Sequence, residues 1–245
     1  MLTLAIDTSA KSASAVLLSD GKIISEATCN NGNTHTQTIL PMVDRILENA
    51  NKKIDDIDLL AASNGPGSFT GIRIGAAVIK GLAFGRSIPC IGVSTLESLA
   101  HNLSLLKGII CPVMDARREQ VYNALFYCDG EKTVRLTPDR AISLDELAVQ
   151  LKELQSGEKK DIQNPLYTDR IYLVGDGYEL SKKVLSEKLI KTEDTPIILR
   201  EQNAASVAFL AQKKYEMGER STDLDFSLSY LRMSQAERER AEKMS

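Results

Sequence analysis

Apolar residues open the chain in three short runs, Leu2 to Ile6, Ala13 to Leu18 and Ile23 to Thr28, broken by Asp7-Thr8-Ser9 and Ser19-Asp20-Gly21. Runs of that length between turn-forming clusters predict a strand–turn–strand–turn–strand meander. The period then changes: Ile39, Val43, Ile46 and Leu47 fall on one face of a helix over Thr36 to Asn49, with Pro41 expected in or near its first turn. A strand over Leu59 to Ser63, a glycine-rich loop and a helix from Thr70 to Phe84 come next. A strand over Pro89 to Val93 then leads into Ser94-Thr95-Leu96-Glu97, whose spacing predicts a capping box at the start of a third helix with Leu96, Leu99, Leu103 and Leu106 on its apolar stripe.

After Lys107-Gly108 the pattern restarts with strands over Ile109 to Met114 and Gln120 to Tyr127, separated by Asp115-Ala116-Arg117-Arg118. A helix over Leu144 to Leu154, a charged linker from Gln155 to Asn164, a strand over Ile171 to Val174, and helices near Glu179 to Leu189 and Ala204 to Tyr215 complete this part. The chain ends in the charged run Glu237-Arg238-Glu239-Arg240, read as a solvated tail. Strands alternating with helices, in a pattern that restarts once, predict an α/β protein of two lobes, residues 1–107 and 108–228, followed by a tail over 229–245.

The 245 residues are enough for one large domain or two lobes with a sizeable core. Hydrophobic residues make up 43% and charged ones 26%, and the formal net charge is −3, so any contact with nucleic acid is local or made through a partner. Cys29, Cys90, Cys111 and Cys128 stand far apart and mostly in apolar runs, as buried reduced thiols do. With no basic leader and no run of membrane-spanning length, the expected location is the cytoplasm.

Candidate chemistry centres on Asn64-Gly65-Pro66-Gly67-Ser68-Phe69-Thr70-Gly71-Ile72-Arg73-Ile74-Gly75. Glycine permits close backbone approach, and the helix that follows turns free N–H groups toward whatever the loop faces. Three readings are open: a tight turn capped by Ser68 or Thr70, an anion cradle with Arg73 as counter-charge, or a docking surface. The lysine of a P-loop is missing, because Ile72 and Arg73 follow Gly71. Asp7, after the first strand and beside Thr8 and Ser9, occupies the place where actin-like and sugar-kinase ATPases handle metal and phosphate, although no glycine follows it. Asp115 repeats that layout in the second half, and Gly175-Asp176-Gly177 reads chiefly as a turn. His35 and His101 lie on different helices with no H-x-x-x-H pair, and no G-x-S-x-G elbow is present.

Four blocks in this order, Leu4-Ala5-Ile6-Asp7-Thr8-Ser9, Gly65 to Gly75, Asp115 to Tyr122 and Tyr230-Leu231-Arg232, resemble the TsaB family, also called YeaZ. The resemblance implies a two-lobed actin-like, sugar-kinase-like ATPase fold with ribonuclease H-like lobes. It also implies a role in making threonylcarbamoyladenosine in tRNAs that read codons beginning with A. In the catalytic relative, TsaD, a metal-binding H-x-x-x-H follows a similar glycine loop; the shared Val-x-x-Leu-Glu register places those positions at Thr95 and Leu99, neither of which binds metal, and leaves Glu97 as a capping residue.

The resemblance therefore implies a non-catalytic activator of TsaD that holds no cofactor of its own, with ATP or ADP and a metal ion acting through its partners. Those partners are TsaD, the ATPase TsaE and, indirectly, tRNA, with a homodimer in isolation and no membrane. Asp7, Thr8, Ser9, Gly65, Gly67, Ser68, Thr70, Gly71, Arg73 and Asp115 form a vestigial nucleotide or anion site on this reading. His35, Ile39, Leu40, Val43, Gly71, Ile72, Gly75, Ala76 and Ile79 are candidates for the TsaD interface, with packing in the chain's own core as the competing role. A glycoprotease-like metallopeptidase and a small-molecule kinase or ATPase are the alternatives.

Overall fold

A computed structural model describes residues 1–32, 34–156 and 170–232. The meander forms as expected: β1 (Leu2–Asp7), β2 (Ala13–Ser19) and β3 (Lys22–Cys29) pair antiparallel in sequence. On the other side of β1, β4 (Leu59–Gly65) and β5 (Cys90–Ser94) join in parallel, giving the order β3-β2-β1-β4-β5. Helix α1 (His35–Asn49) and helix α2 (Phe69–Ala83) bury Ile39, Val43, Ile46, Ala76 and Ile79 with Leu4, Ile6 and Leu60 on one face of this sheet.

Pro41 is the seventh residue of α1, not part of its first turn. The helix continues through it because its apolar stripe is anchored on both sides, by Ile39 and by Val43.

A second sheet is built around β6 (Gly108–Asp115). The strand expected over 120–127 is two strands, β7 (Gln120–Asn123) and β8 (Phe126–Cys128), which pair antiparallel with β6 on one continuous register. The break falls opposite Pro112, which has no N–H to donate. Leu125 instead bonds Thr137 Oγ1 through its N–H and accepts from the Leu136 N–H. Two short strands not anticipated from the pattern, β9 (Thr133–Arg135) and β10 (Arg140–Ser143), flank β8 and β7, and β11 (Ile171–Val174) lies parallel to β6. Helices α4 (Leu144–Ser156) and α5 (Tyr178–Glu187) cover this sheet through Leu147, Leu151, Tyr178 and Leu185. Between the sheets stands α3 (Thr95–His101), whose Leu96 and Leu99 pack with Ile110 and Met114 of β6. Two sheets covered by helices are the mixed α/β class expected.

The chain then returns to where it began. Helix α6 (Ala204–Glu216), expected to close the second half, buries Ala204, Val207, Ala208 and Ala211 against Ala5, Val16, Leu59 and Val93 on the other face of the first sheet. Phe226 joins the core between that sheet and α1 and α2. Most of the linker from Gln155 to Asn164, and the run Glu237 to Arg240, lie outside the described residues.

Candidate functional site

The glycine block and the β1–β2 turn meet face to face. Asp7 is 1% exposed. One carboxylate oxygen accepts from the Ser9 N–H at 2.8 Å and the Ser9 hydroxyl at 2.6 Å, and the other accepts from the Ser63 hydroxyl of β4. Burial pushes the Asp7 carboxyl above the ordinary aspartate range, against the opposing pull of these three donors. Ser63 was not among the sequence candidates; its place two residues before Gly65 is the only sign of it.

Two backbone donors of the loop bond inside the protein. The Ser68 N–H bonds the Ser9 carbonyl at 2.7 Å, and Ser68 caps α2 by accepting from the Gly71 N–H at 3.2 Å. Thr8 Oγ1 donates to the Gly71 carbonyl at 2.8 Å. A Cβ on Gly67 or Gly71 would collide with the carbonyl oxygen of Ser9 or Thr8, and one on Gly75 would stand 2.6 Å from Thr8 Oγ1. The small residues of α2 thus admit the chain's own β1–β2 turn. Thr70 and Arg73 are exposed, and Gly65 and Thr8 are buried.

Asp115 lies across from this assembly at the end of β6, exposed, with one oxygen accepting from the Arg117 N–H at 2.7 Å. Beside it is Asp176, whose carboxyl is pushed up to about 6, first by loss of water to the surrounding protein and then by the Glu201 and Asp115 charges. The Asp115 backbone N–H and Lys11 pull the other way. Gly175 and Gly177 form the expected turn, the Gly177 N–H bonding the Val113 carbonyl at 3.0 Å at the start of α5. Asp115 and Asp7 share no hydrogen-bond partner among the described residues.

The docking candidates divide by burial. Ile39, Val43, Gly71, Ile72, Gly75, Ala76 and Ile79 all face the chain's own interior, which corrects their proposed place at an interface. A helix in a two-layer fold spends its apolar stripe on its own sheet before any partner arrives. His35 is half-buried, its Nε2–H donating to the Ala10 carbonyl at 2.7 Å. Leu40 alone projects, at 45% exposure. Thr95 and Leu99 are fully buried in the core between α3 and the second sheet. Glu97 is half of the expected cap: its N–H bonds Ser94 Oγ at 3.2 Å, but its carboxylate turns to Lys214 at 3.6 Å.

A family model for TsaD, tRNA N6-adenosine threonylcarbamoyltransferase, matches residues 23–240. The tRNA threonylcarbamoyladenosine biosynthesis protein TsaB of Haemophilus influenzae is 32% identical over 94% of this chain and 92% of its own length. The chain belongs to the TsaB family. TsaB of Escherichia coli is 37% identical over 64% of this chain and 69% of its own, and that of Bacillus subtilis 35% identical over 62% and 67%. YeaZ from Pseudomonas aeruginosa shares the fold, with a TM-score of 0.72 at 23% identity over 94% of this chain and 99% of that one. Within this TsaB-family chain, the glycine block is matched to the Asp7-Thr8-Ser9 turn. No three His, Cys, Asp or Glu side chains converge as metal ligands among the described residues.

Proposed function

We propose that this chain is a non-catalytic subunit that supports threonylcarbamoyl transfer to the adenosine of tRNAs reading codons that begin with A, by binding a TsaD-type transferase. The observation that carries this reading is the enclosure of the Asp7 turn by hydrogen bonds within the chain. Asp7 is enclosed by Ser9 and Ser63, and the Ser68 N–H is taken by Ser9. A carboxylate that holds a metal ion or activates a nucleophile must reach it, and the Asp7 oxygens are taken by its own turn and by Ser63 of β4. The family relation supplies the reaction; the enclosed turn supplies the accessory role.

Docking through α1 and α2 keeps its support only at their outer side, where Leu40 projects. ATP or ADP and the metal ion act in the partners on this proposal, TsaE joins the same assembly in the cytoplasm, and the chain pairs with itself when alone. The test is reconstitution of the transfer from purified components, each omitted in turn. Transfer that requires both this chain and the TsaD-type protein supports the reading, and transfer by this chain alone would end it. Leu40→Asp is expected to abolish co-elution with the transferase while leaving the melting temperature within about 2 °C, since exposed substitutions change stability by about 0.5 kcal/mol or less. Undiminished co-elution would remove α1 from the interface.

A further inference from the structure

Four arginines and two aromatic rings lie along one strip of the surface. At the start of α2 the Arg73 guanidinium lies 3.8 Å over the Phe69 ring, and its Nε donates to the Tyr230 hydroxyl at 2.9 Å. The Phe69 and Tyr230 rings stand 4.9 Å apart. Two residues further on, Arg232 donates to the Ala116 carbonyl at 2.6 Å, and Arg117 and Arg118 follow directly on the β6–β7 turn.

The strip is built at both ends. Ser229 bonds the Asn64 carbonyl at 2.8 Å through its N–H, and its own carbonyl oxygen fills the place of a Gly65 side chain. At the other end Arg117, Arg118 and Glu119 all have positive φ, 62°, 55° and 57°. Each such conformer costs an L-residue about 1–2 kcal/mol, so three in series persist only because Asp115 and Gln120 bind the turn from both sides. The result is that Arg117 and Arg118 are held out in solvent.

Arg45, Arg86, Arg135 and Arg200 each pair with a carboxylate, whereas among the described residues none of Arg73, Arg117, Arg118 and Arg232 does. Like the four arginines of the strip, Arg140 and Arg220 have no carboxylate partner among the described residues; Arg140 is held by Asn123 and Gln150, and Arg220 by the Tyr215 and Glu219 carbonyls. The acids near the strip are Asp115, which is bonded to the Arg117 N–H, Glu119, and Asp176 beside Asp115. In a chain of net charge −3, four unpaired guanidiniums beside a Tyr230 ring that is 44% exposed make a local site for a polyanion that also offers a flat face to stack. An acidic peptide would use the guanidiniums and leave the rings idle; an RNA strand uses both.

We propose that this strip binds tRNA directly, with phosphates on Arg117, Arg118 and Arg232 and an unstacked base against Tyr230 beside Phe69 and Arg73, a proposal that rests on the tRNA-modification reading above. The test uses the full chain in complex with its transferase partner and an unmodified tRNA transcript, with affinity measured across salt concentrations. Arg117→Gln with Arg118→Gln is expected to weaken binding about tenfold near physiological salt and to reduce the slope of log K against log salt by about 1.4–1.8, with melting and co-elution unchanged. Tyr230→Leu is expected to lower affinity about five- to tenfold at unchanged slope, because it removes a ring and no charge. Unaltered affinity and slope in the arginine pair would overturn the proposal. So would displacement of the transcript by a polyglutamate peptide at matched charge, which would make the strip a protein site. If transfer proceeds fully without this chain while tRNA binding still depends on the arginines, the accessory role falls and the RNA strip stands.

Discussion

At the residue scale, the same residue type does opposite work at positions ten apart. Gly71 meets the Thr8 carbonyl, whereas a Cβ on Gly81, in the same helix, would meet nothing within 4 Å. Gly71→Ala is therefore expected to destabilise by about 1–3 kcal/mol or more through overpacking. Gly81→Ala should stabilise by about 0.5–1 kcal/mol through helix propensity. Urea denaturation of the two variants checks the pair, and equal shifts would contradict the packing described. Gly75, an interface candidate from the sequence, belongs with Gly71: the first atom added by Gly75→Leu meets Thr8 Oγ1, so that change lowers the chain's own stability.

Asp176 provides a pH signature. Its carboxyl sits near 6 in the folded chain against an ordinary value of 3.8. The native state thus holds this proton more tightly than the unfolded state, and stability falls as pH rises from about 4 to about 6, then levels. The side chain is exposed, so the effect is screened to about 1 kcal/mol or less. Asp176→Asn should raise the melting temperature at pH 7, by no more than about 2–4 °C, and leave it unchanged near pH 4. A gain at both pH values would assign the effect to something other than charge.

At the element scale, α1 carries a proline in its interior that costs it one backbone hydrogen bond. Pro41 is exposed and has no place in the core, so Pro41→Ala should stabilise by about 1–3 kcal/mol, read from the denaturant midpoint. Amphipathic period located this helix to within one residue at its start, and the strand over 171–174 at both ends, because both are long or apolar enough to speak for themselves. The strands at 133–135 and 140–143 were silent in the sequence: three of the first are exposed, and pairing with β8 and β7 makes them strands. Likewise Pro112 divides β7 from β8 from across the sheet, a cause no reading of residues 120–127 contains.

At the scale of the molecule, the return of α6 to the first sheet ties residues near 204–211 to the opening strands. Ala208→Asp should therefore destabilise the whole chain by about 3 kcal/mol or more, by placing an unpaired charge among Ala5, Leu59 and Val93. Loss of the near-ultraviolet and far-ultraviolet signals in one transition would show it; a separate melt of one half would not fit. By itself the sequence determined the α/β class, the order of the main elements, the glycine block and the family, because these rest on local period and on residue types in fixed order. Tertiary structure alone decided what the glycines face, that Asp7 is enclosed by Ser9 and Ser63, that seven docking candidates are core, and that Arg73, Tyr230, Arg232, Arg117 and Arg118 form one strip. The physical reason is the same in each case: a small or polar residue states what it permits, and only the neighbour that folding brings to it decides which permission is used.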